Sequence, residues 1–410
     1  VTDLFAIASA ALAGLGLVYW GAQWVVLLRV ARSVPLLDQL PQQPRSHWPR
    51  VSAIVTACNE EATLEQAVRA RFAEDYPDLE LILVEDRSTD STPDIARRLA
   101  LEDPRLKVVH LRELPDGWLG KVHAMQRGLE QATGEWLLFS DGDVSAHRGV
   151  LGRLVDYCER RGLDHCTVLP RLRPVNPLLD CLSSVFMRLV ALNLRLWAIE
   201  DPSSKASVGI GAFNMVRRAA FERSPGFEWL RLEVADDLCL GEMLKASGAR
   251  QSVVNGRALV DLEFHSSVGD ALRSSERATF TAVGNFSLAR LVVMAAAVMG
   301  LELSPLLSLA LARAPVTFAA GFAALAVAVA AQLAANRFNG RSSGNLVLLP
   351  LAELLSGYSM VRAGVLGTWR GGIRWRGTFY SSKQLKAGRR FGTAFRTLKS
   401  RDPHASTSSA

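Results

Sequence analysis

Residues 79–94 read LELILVEDRSTDSTPD. A short run of Leu, Ile and Val stops at a pair of carboxylates, and a Ser/Thr/Asp cluster with one proline follows. Upstream, residues 51–61 read VSAIVTACNEE and end the same way. Apolar runs of this length, bounded by turn-forming residues, predict buried strands at 51–57 and 79–84. Residues 107–111 and 136–139 continue the series. Helix patterns lie between them. Asn59 is placed to cap one through 62–72, Thr92-Pro93 opens a second with proline at its first position, and 120–131 makes a third that stops at Gly134. Strands alternating with helices predict βαβ units and a parallel sheet from residue 51 to about 263. In such a sheet, ligands bind beyond the carboxyl ends of the strands.

Those ends carry the unusual residues. They are Thr56-Ala57-Cys58-Asn59-Glu60-Glu61, Glu85-Asp86-Arg87-Ser88-Thr89-Asp90, and Ser140-Asp141-Gly142-Asp143. One acidic strand end is ordinarily a helix cap. Three on one rim, one of them Asp-x-Asp, exceed what capping requires. Two carboxylates one residue apart can converge on a hard divalent cation. Such a cation can hold a diphosphate and neutralise it as it leaves. Lys121 stands at the start of a helix, where free N–H groups attract anions, and can reach a phosphate as a point charge. The Walker pattern G-x-x-x-x-G-K-[ST] is absent.

The chain has 410 residues, 49% hydrophobic and 21% charged, enough for two or three units. This excludes a disordered chain, a collagen and a small disulfide scaffold. The mean hydropathy of +0.14 suits a membrane enzyme. A net charge of +7 suits nucleic acid, an anionic membrane surface or a phosphorylated substrate. Cys58, Cys158, Cys166, Cys181 and Cys239 form no C-x-x-C pair and read as free thiols in a reducing compartment.

Residues 4–28 carry no charge and are long enough to cross a hydrocarbon core of ~30 Å. With no basic n-region they read as an anchor rather than a signal peptide. Arg29, Arg32, Arg45 and Arg50 follow, so the positive-inside rule puts Val1 outside and the catalytic part in the cytoplasm, as at a bacterial-type inner membrane. Residues 291–312, 316–335 and 346–367 are further candidate segments. The first carries Glu302 and Pro305, the third Pro350, Glu353 and Arg362. The tail from Trp369 holds ten Lys/Arg against one acid, Asp402, and ends in Ser, Thr and Ala that read as disordered. It has no nucleic-acid motif and suits contact with a membrane surface. Three full crossings would put this basic tail outside. One segment is therefore expected not to cross: 291–312 and 346–367 each contain a proline and a glutamate that suit a re-entrant or interfacial course, and Arg362 makes 346–367 the weaker span. The expected division is an anchor (1–30), a linker (31–50), a catalytic domain (51–287), membrane or interfacial helices (288–368) and a cytoplasmic tail (369–410).

Over residues 51–265 the chain resembles family 2 glycosyltransferases of the GT-A nucleotide-sugar fold. Thr56–Glu60 is similar to the P-x-R-N-E element, with Cys58 in place of the basic residue. Glu85–Asp90 resembles D-D-x-S-x-D. Gly117-Trp118-Leu119-Gly120-Lys121-x-x-Ala124 resembles the G-W-x-G-K-x-x-A stretch of hopanoid-associated and ceramide-glucosyltransferase-like members. Asp141-Gly142-Asp143 resembles the metal-binding D-x-D. Gly209-Ile210-Gly211-Ala212-Phe213-Asn214 resembles the stretch that borders the acceptor. Asp236-Asp237 resembles the E-D motif, with Asp236 replacing glutamate.

The resemblance implies a mixed α/β sheet flanked by helices. It implies Thr56, Ala57, Glu60, Asp86, Lys121 and Asp141 at the donor, with Asp86 reading the nucleobase. Gly209 and Gly211 then lie on the acceptor side, and Asp141 and Asp143 hold Mg2+ or Mn2+. Asp237 becomes the catalytic base, with Asp236 beside it. The Q-x-x-R-W helix is not recognisable; Ser274–Ala278 falls where it would lie, with Arg277 the one partial match. His265 reads as structural. Arg374-Trp375-Arg376-Gly377 resembles a post-membrane element of lipid-modifying members, and Arg374 and Trp375 are its candidates for the active site. The implied function is metal-dependent, inverting transfer of a sugar, most simply from a UDP-sugar, to a membrane lipid. A processive polysaccharide synthase lacks the Q-x-x-R-W signature and a larger helix set here. A degenerate membrane scaffold would not need the Asp141/Asp143 pair and Asp237.

Overall fold

The computed structural model describes residues 2–173 and 175–398; the end of the tail, including Asp402, lies outside them. The chain divides into two compact units. One joins residues 34–172, 198–263 and 374–398, and the other joins 2–33, 173–197 and 264–373.

The first unit is built on a seven-stranded sheet. Its strands are β1 (Val51–Ala57), β2 (Leu79–Asp86), β3 (Leu106–Leu111), β4 (Trp136–Asp141), β6 (His165–Leu169), β8 (Asn214–Arg217) and β9 (Gln251–Asn255), in the order β3-β2-β1-β4-β8-β6-β9. The half from β3 to β4 is parallel, as the alternating pattern predicts. β8 then runs antiparallel to both β4 and β6, which makes the sheet mixed. β5 (Val144–Ala146), β7 (Arg171–Leu172) and β10 (Val260–Leu262) form a small second sheet. Every residue of β1 and β2 is buried. Strands covered on both faces lack polar alternation, which is why these read as continuous apolar runs.

β2 and β4 are longer than expected, so Glu85, Asp86 and Asp141 are strand residues rather than loop residues. Asn59 does not cap the helix Leu64–Phe72. It is left-handed (φ 58), and its side chain accepts from the Thr89 N–H at 2.8 Å, which ties the loop after β1 to the loop after β2. Residues 34–50 are not a free linker. The Asn255 N–H donates to Pro35 O at 2.8 Å, and Arg45 pairs with the buried Asp156 at 2.9 Å.

The second unit is helical. Leu4–Ser33, Pro177–Ala198, Pro315–Phe338 and Leu346–Arg370 are each long and apolar enough to cross a membrane. Pro177–Ala198 falls inside the expected catalytic domain and marks a departure from the division read from sequence. Residues 291–312 are not one helix. The chain breaks at Leu303, between Leu288–Glu302 and Ser304–Leu311, where Pro305 sits in the first turn. Val268–Val283 and Leu288–Glu302 meet at 104°. Residues 346–370 are long and apolar enough to cross, so of the two segments open to a re-entrant course it is 291–312 that is interrupted. Arg188 and Glu302 are fully buried and paired at 2.6 Å, and the Arg188 Nε donates to Gln332 Oε1 at 2.9 Å. Buried charges persist when paired and hydrogen-bonded, and this pair holds three helices of the unit together.

Candidate active site

The register of the sheet gathers the acidic strand ends. Thr56 lies beside Asp141, and Ala57 lies beside Glu85. Ala57 and Thr56 are buried, and Gly142 lies directly over them: a Cβ added there would meet Thr56 O at 3.2 Å and the Ala57 Cβ at 3.3 Å. Beneath the turn lies Arg71, buried on the helix Leu64–Phe72. It donates to Ser140 Oγ (2.8 Å), Asp141 O (3.1 Å) and Val144 O (2.8 Å), and so fixes the Asp-x-Asp backbone. Sequence reading missed Arg71. Its one signal is an arginine in the buried Leu64, Ala67, Val68 helical stripe.

One pocket brings together Thr56, Lys121, Asp141, Gly211, Asp236 and Asp237, walled by Met125, Phe139, Asn214 and Leu240. Lys121 opens the helix Gly120–Leu129, and its Nζ is 2.8 Å from Asp141 Oδ1 and 3.4 Å from Asp236 Oδ2. Burial acts to lower the Lys121 pKa, but Asp141, Asp236 and Asp237 outweigh it, so the ammonium stays charged. Burial likewise acts to raise Asp141, and the Lys121 charge overcomes it and holds the carboxyl below its ordinary value.

Asp236 and Asp237 begin the helix Asp236–Ala246. Asp237 accepts the Gly211 N–H at Oδ2 (2.9 Å) and the Leu238 N–H at Oδ1 (2.8 Å). Gly211 O in turn accepts the Asp141 N–H at 3.0 Å. The Gly209–Gly211 loop therefore ties β4 to this helix. Side chains would not fit there: a Cβ on Gly209 would lie 1.9 Å from Asp237 O, and one on Gly211 would lie 2.8 Å from Asp141 Oδ2. Burial, then Asp237 and Asp141, push Asp236 up to about 7. Asn214, which closes the wall and bonds His165, was legible only as the end of the glycine-rich stretch.

Asp143 and Glu60 flank the pocket. Asp143 is pushed up to about 7 by burial and by the charges of Asp141 and Glu60. Its Oδ1 is buried without a hydrogen-bond partner. Burial also raises Glu60, against the Thr63 hydroxyl that donates to it at 3.0 Å. Among the described residues no group of three or more His, Cys, Asp or Glu is placed to hold a metal. The Asp141/Asp143 pair still fits a hard cation that takes its other ligands from a diphosphate, since Mg2+ binds in that way and Asp143 has an unsatisfied oxygen.

Asp86 is fully buried, with Arg87 Nε on Oδ1 at 2.8 Å and Arg376 Nη1 on Oδ2 at 2.9 Å. The tail thus brings Arg376 to the rim, rather than Arg374, which is exposed. Burial raises the Cys58 thiol, so it is no activated nucleophile. All five cysteines are free. His265 and the helix Val268–Ala278, with Arg277, belong to the helical unit, where His265 Nδ1 lies 3.0 Å from Ser274 Oγ.

Residues 52–224 match the family model described as Glycosyl transferase family 2. The GalNAc(5)-diNAcBac-PP-undecaprenol beta-1,3-glucosyltransferase of Campylobacter jejuni is 33% identical over 107 residues, 26% of this chain and 34% of that protein. The Beta-monoglucosyldiacylglycerol synthase of Nostoc sp. is 26% identical over 239 residues, 55% of this chain and 49% of that protein. The matched stretches thus span a third to a half of the length of these relatives. Among solved structures, mannosyltransferase PcManGT from Pyrobaculum calidifontis, in complex with GDP-Man and Mn2+, is 21% identical with a TM-score of 0.49 and covers 88% of this chain and 99% of that one.

Proposed function

We propose a donor, an acceptor and a chemistry for what is a family 2 glycosyltransferase: the chain carries that family's domain over residues 52–224, on a mixed, GT-A-like α/β fold. The reading is inverting transfer of a sugar from a UDP-sugar to a membrane lipid. The observation that carries it is the pocket in which one buried lysine faces Asp141, Asp236 and Asp237. Asp237 takes the proton of the acceptor hydroxyl as its oxygen bonds to the anomeric carbon, and the bond from that carbon to the diphosphate breaks on the opposite face. Gly211 and Leu238 orient the carboxylate for this through their N–H groups. Lys121 follows the departing diphosphate, exchanging Asp141 for it as the negative charge grows. Asp141 and Asp143 would hold a divalent cation, which supplies charge that offsets the diphosphate as it leaves. Asp86, Thr56, Ala57 and Glu60 form the rim against which the nucleotide lies.

The lipid acceptor is supported by the helical unit and by the two relatives, whose names carry an undecaprenol and a diacylglycerol. Chain continuity supports one membrane topology. Residues 34–172, 198–263 and 374–398 form one unit, so the intervening segments must each leave and return on one side. Pro177–Ala198 therefore cannot cross alone. Residues 264–373 must cross an even number of times, which Pro315–Phe338 and Leu346–Arg370 satisfy. The bent pair Val268–Val283 and Leu288–Glu302 then lies in the membrane without spanning it. Arg29 and Arg32, which follow the first helix, support a cytoplasmic side for the catalytic unit and for the tail up to residue 398.

A screen of nucleotide sugars with the full-length protein, Mn2+ or Mg2+, and extracted membrane lipid tests the reading. Labelled sugar should appear in the lipid phase. Transfer to water alone, or to no acceptor with any donor, would overturn it.

A further inference from the structure

After the last long helix the chain forms a hairpin of two strands, β11 (Gly372–Trp375) and β12 (Thr378–Ser381). Two residues join them, Arg376 (φ 47) and Gly377 (φ 77), both left-handed. Such turns favour Asn, Asp or Gly at the first position, because a side chain there is sterically opposed. An arginine in that conformation is held by what it reaches. Its Nη1 donates to Asp86 Oδ2 at 2.9 Å, across 290 residues of sequence. Asn59 (φ 58) and Arg87 (φ 56) are also left-handed and stand on the same rim. Strain of this kind collects where a side chain must be aimed.

The rest of the tail is anchored to the elements that carry the pocket. Tyr380 is buried, with its hydroxyl close to the backbone of Gly120, the residue before Lys121. Glu233 accepts the N–H groups of Arg390 (2.6 Å) and Phe391 (2.9 Å). Glu242, on the helix that begins with Asp236-Asp237, accepts those of Gly392 (2.7 Å) and Ala394 (3.1 Å). From Arg374 onward the chain is thus a fixed part of this unit.

Resting on the reading above as a nucleotide-sugar transferase, we propose that Arg376 is a donor-binding residue. In the donor-free enzyme it neutralises Asp86; when the donor enters, its guanidinium passes to the diphosphate and leaves Asp86 to the nucleobase. Charge supports the exchange. A diphosphate entering this rim meets Glu60, Asp86, Asp141 and Asp143, while Lys121 is already shared between Asp141 and Asp236. The Arg376 charge is felt at Glu60 and Asp141 as well as at Asp86, which it contacts at 2.9 Å. A guanidinium can pair with two phosphate oxygens at once. Arg87 keeps its bond to Oδ1, so the buried Asp86 carboxylate is not left bare when Arg376 moves.

The test compares UDP and uridine as ligands of the full-length protein in detergent with Mn2+. The wild type should prefer UDP strongly. Arg376→Ala should lower UDP affinity at least tenfold and leave uridine affinity equal or higher, and Arg376→Lys should recover part of the UDP affinity. Arg376→Gln, which keeps length and hydrogen bonding without charge, serves in place of an alanine form that fails to fold. A parallel loss for both ligands would assign the hairpin a structural role only, and no change for either would remove Arg376 from the site; both overturn the proposal. A wild type with no preference for UDP would instead refute the UDP-sugar reading, and the inference with it.

Discussion

Asp237→Asn separates the chemistry from the binding. The carboxylate has two partners, the N–H groups of Gly211 and Leu238, and makes no ion pair with Lys121, whose Nζ contacts Asp141 and Asp236. An asparagine keeps one acceptor oxygen and turns an NH2 toward the other N–H, leaving a donor facing a donor. An unsatisfied pairing of that kind costs about 1–3 kcal/mol. The fold tolerates such a loss, and the cation and donor groups on the β1, β2 and β4 ends are untouched. The loss of basicity is larger. A general base contributes roughly 10²–10⁴-fold, about 3–5 kcal/mol of transition-state stabilisation. Transfer to lipid should therefore fall at least a hundredfold, measured as initial rate at saturating donor. UDP affinity, measured by calorimetry on the same preparation, should change less than about threefold, because the interaction lost is one made only as the proton moves. Near-normal transfer would remove Asp237 from the mechanism. A loss of UDP affinity as large as the loss of rate would show that it acts in binding.

Further outcomes follow from the same geometry. Asp143 and Asp236 are carboxyls raised to about 7, chiefly by burial, so the proton favours the folded state; this stability is full below pH ~4 and is lost as pH rises through ~7. Thermal unfolding without ligand should shift down between pH 5 and 8, Asp143→Asn should reverse part of that shift, and the same variant, like excess EDTA on the wild type, should abolish transfer; full activity in EDTA would exclude the cation. Glu302→Ala leaves the buried Arg188 unpaired, and losing one partner of such a pair costs about 3–5 kcal/mol, so folded yield should drop sharply while Glu302→Gln retains more. With Cys58 replaced and the other four thiols buried, a cysteine at the exposed Ser343 should be labelled from outside intact cells and one at Lys383 only after permeabilisation. Outside labelling at Lys383 would mean an odd number of crossings between residues 263 and 374 and would overturn the topology.

The acidic strand ends were legible because two physical signals coincide there. Strands covered on both faces need continuous Val, Ile and Leu, and a carboxylate directly after such a run has no core reason to be there. Lys121 and the Asp236-Asp237 pair were legible through their short motifs. What joins distant segments was not. Arg376 meets Asp86 across 290 residues, and nothing local in either stretch encodes the pairing. Arg71 looks like any surface arginine until the helix phase turns it inward. Pro177–Ala198 gave no clear membrane signal, since Arg188 and Asp180 interrupt its apolar run. Both are buried against partners elsewhere in their unit, Arg188 on Glu302 and Asp180 on Arg341 and Asn345. The break at Leu303 had one signal, Pro305, because both sides are equally apolar and hydropathy does not register a change of direction.

The most direct test of the central claim is the stereochemistry of the product. Full-length protein, Mn2+, membrane lipid and an α-linked UDP-sugar should give a glycolipid whose new linkage is β by NMR, because Asp237 activates the acceptor on the face opposite the departing diphosphate. A product with the α linkage retained, or sugar released without any lipid product, would contradict it.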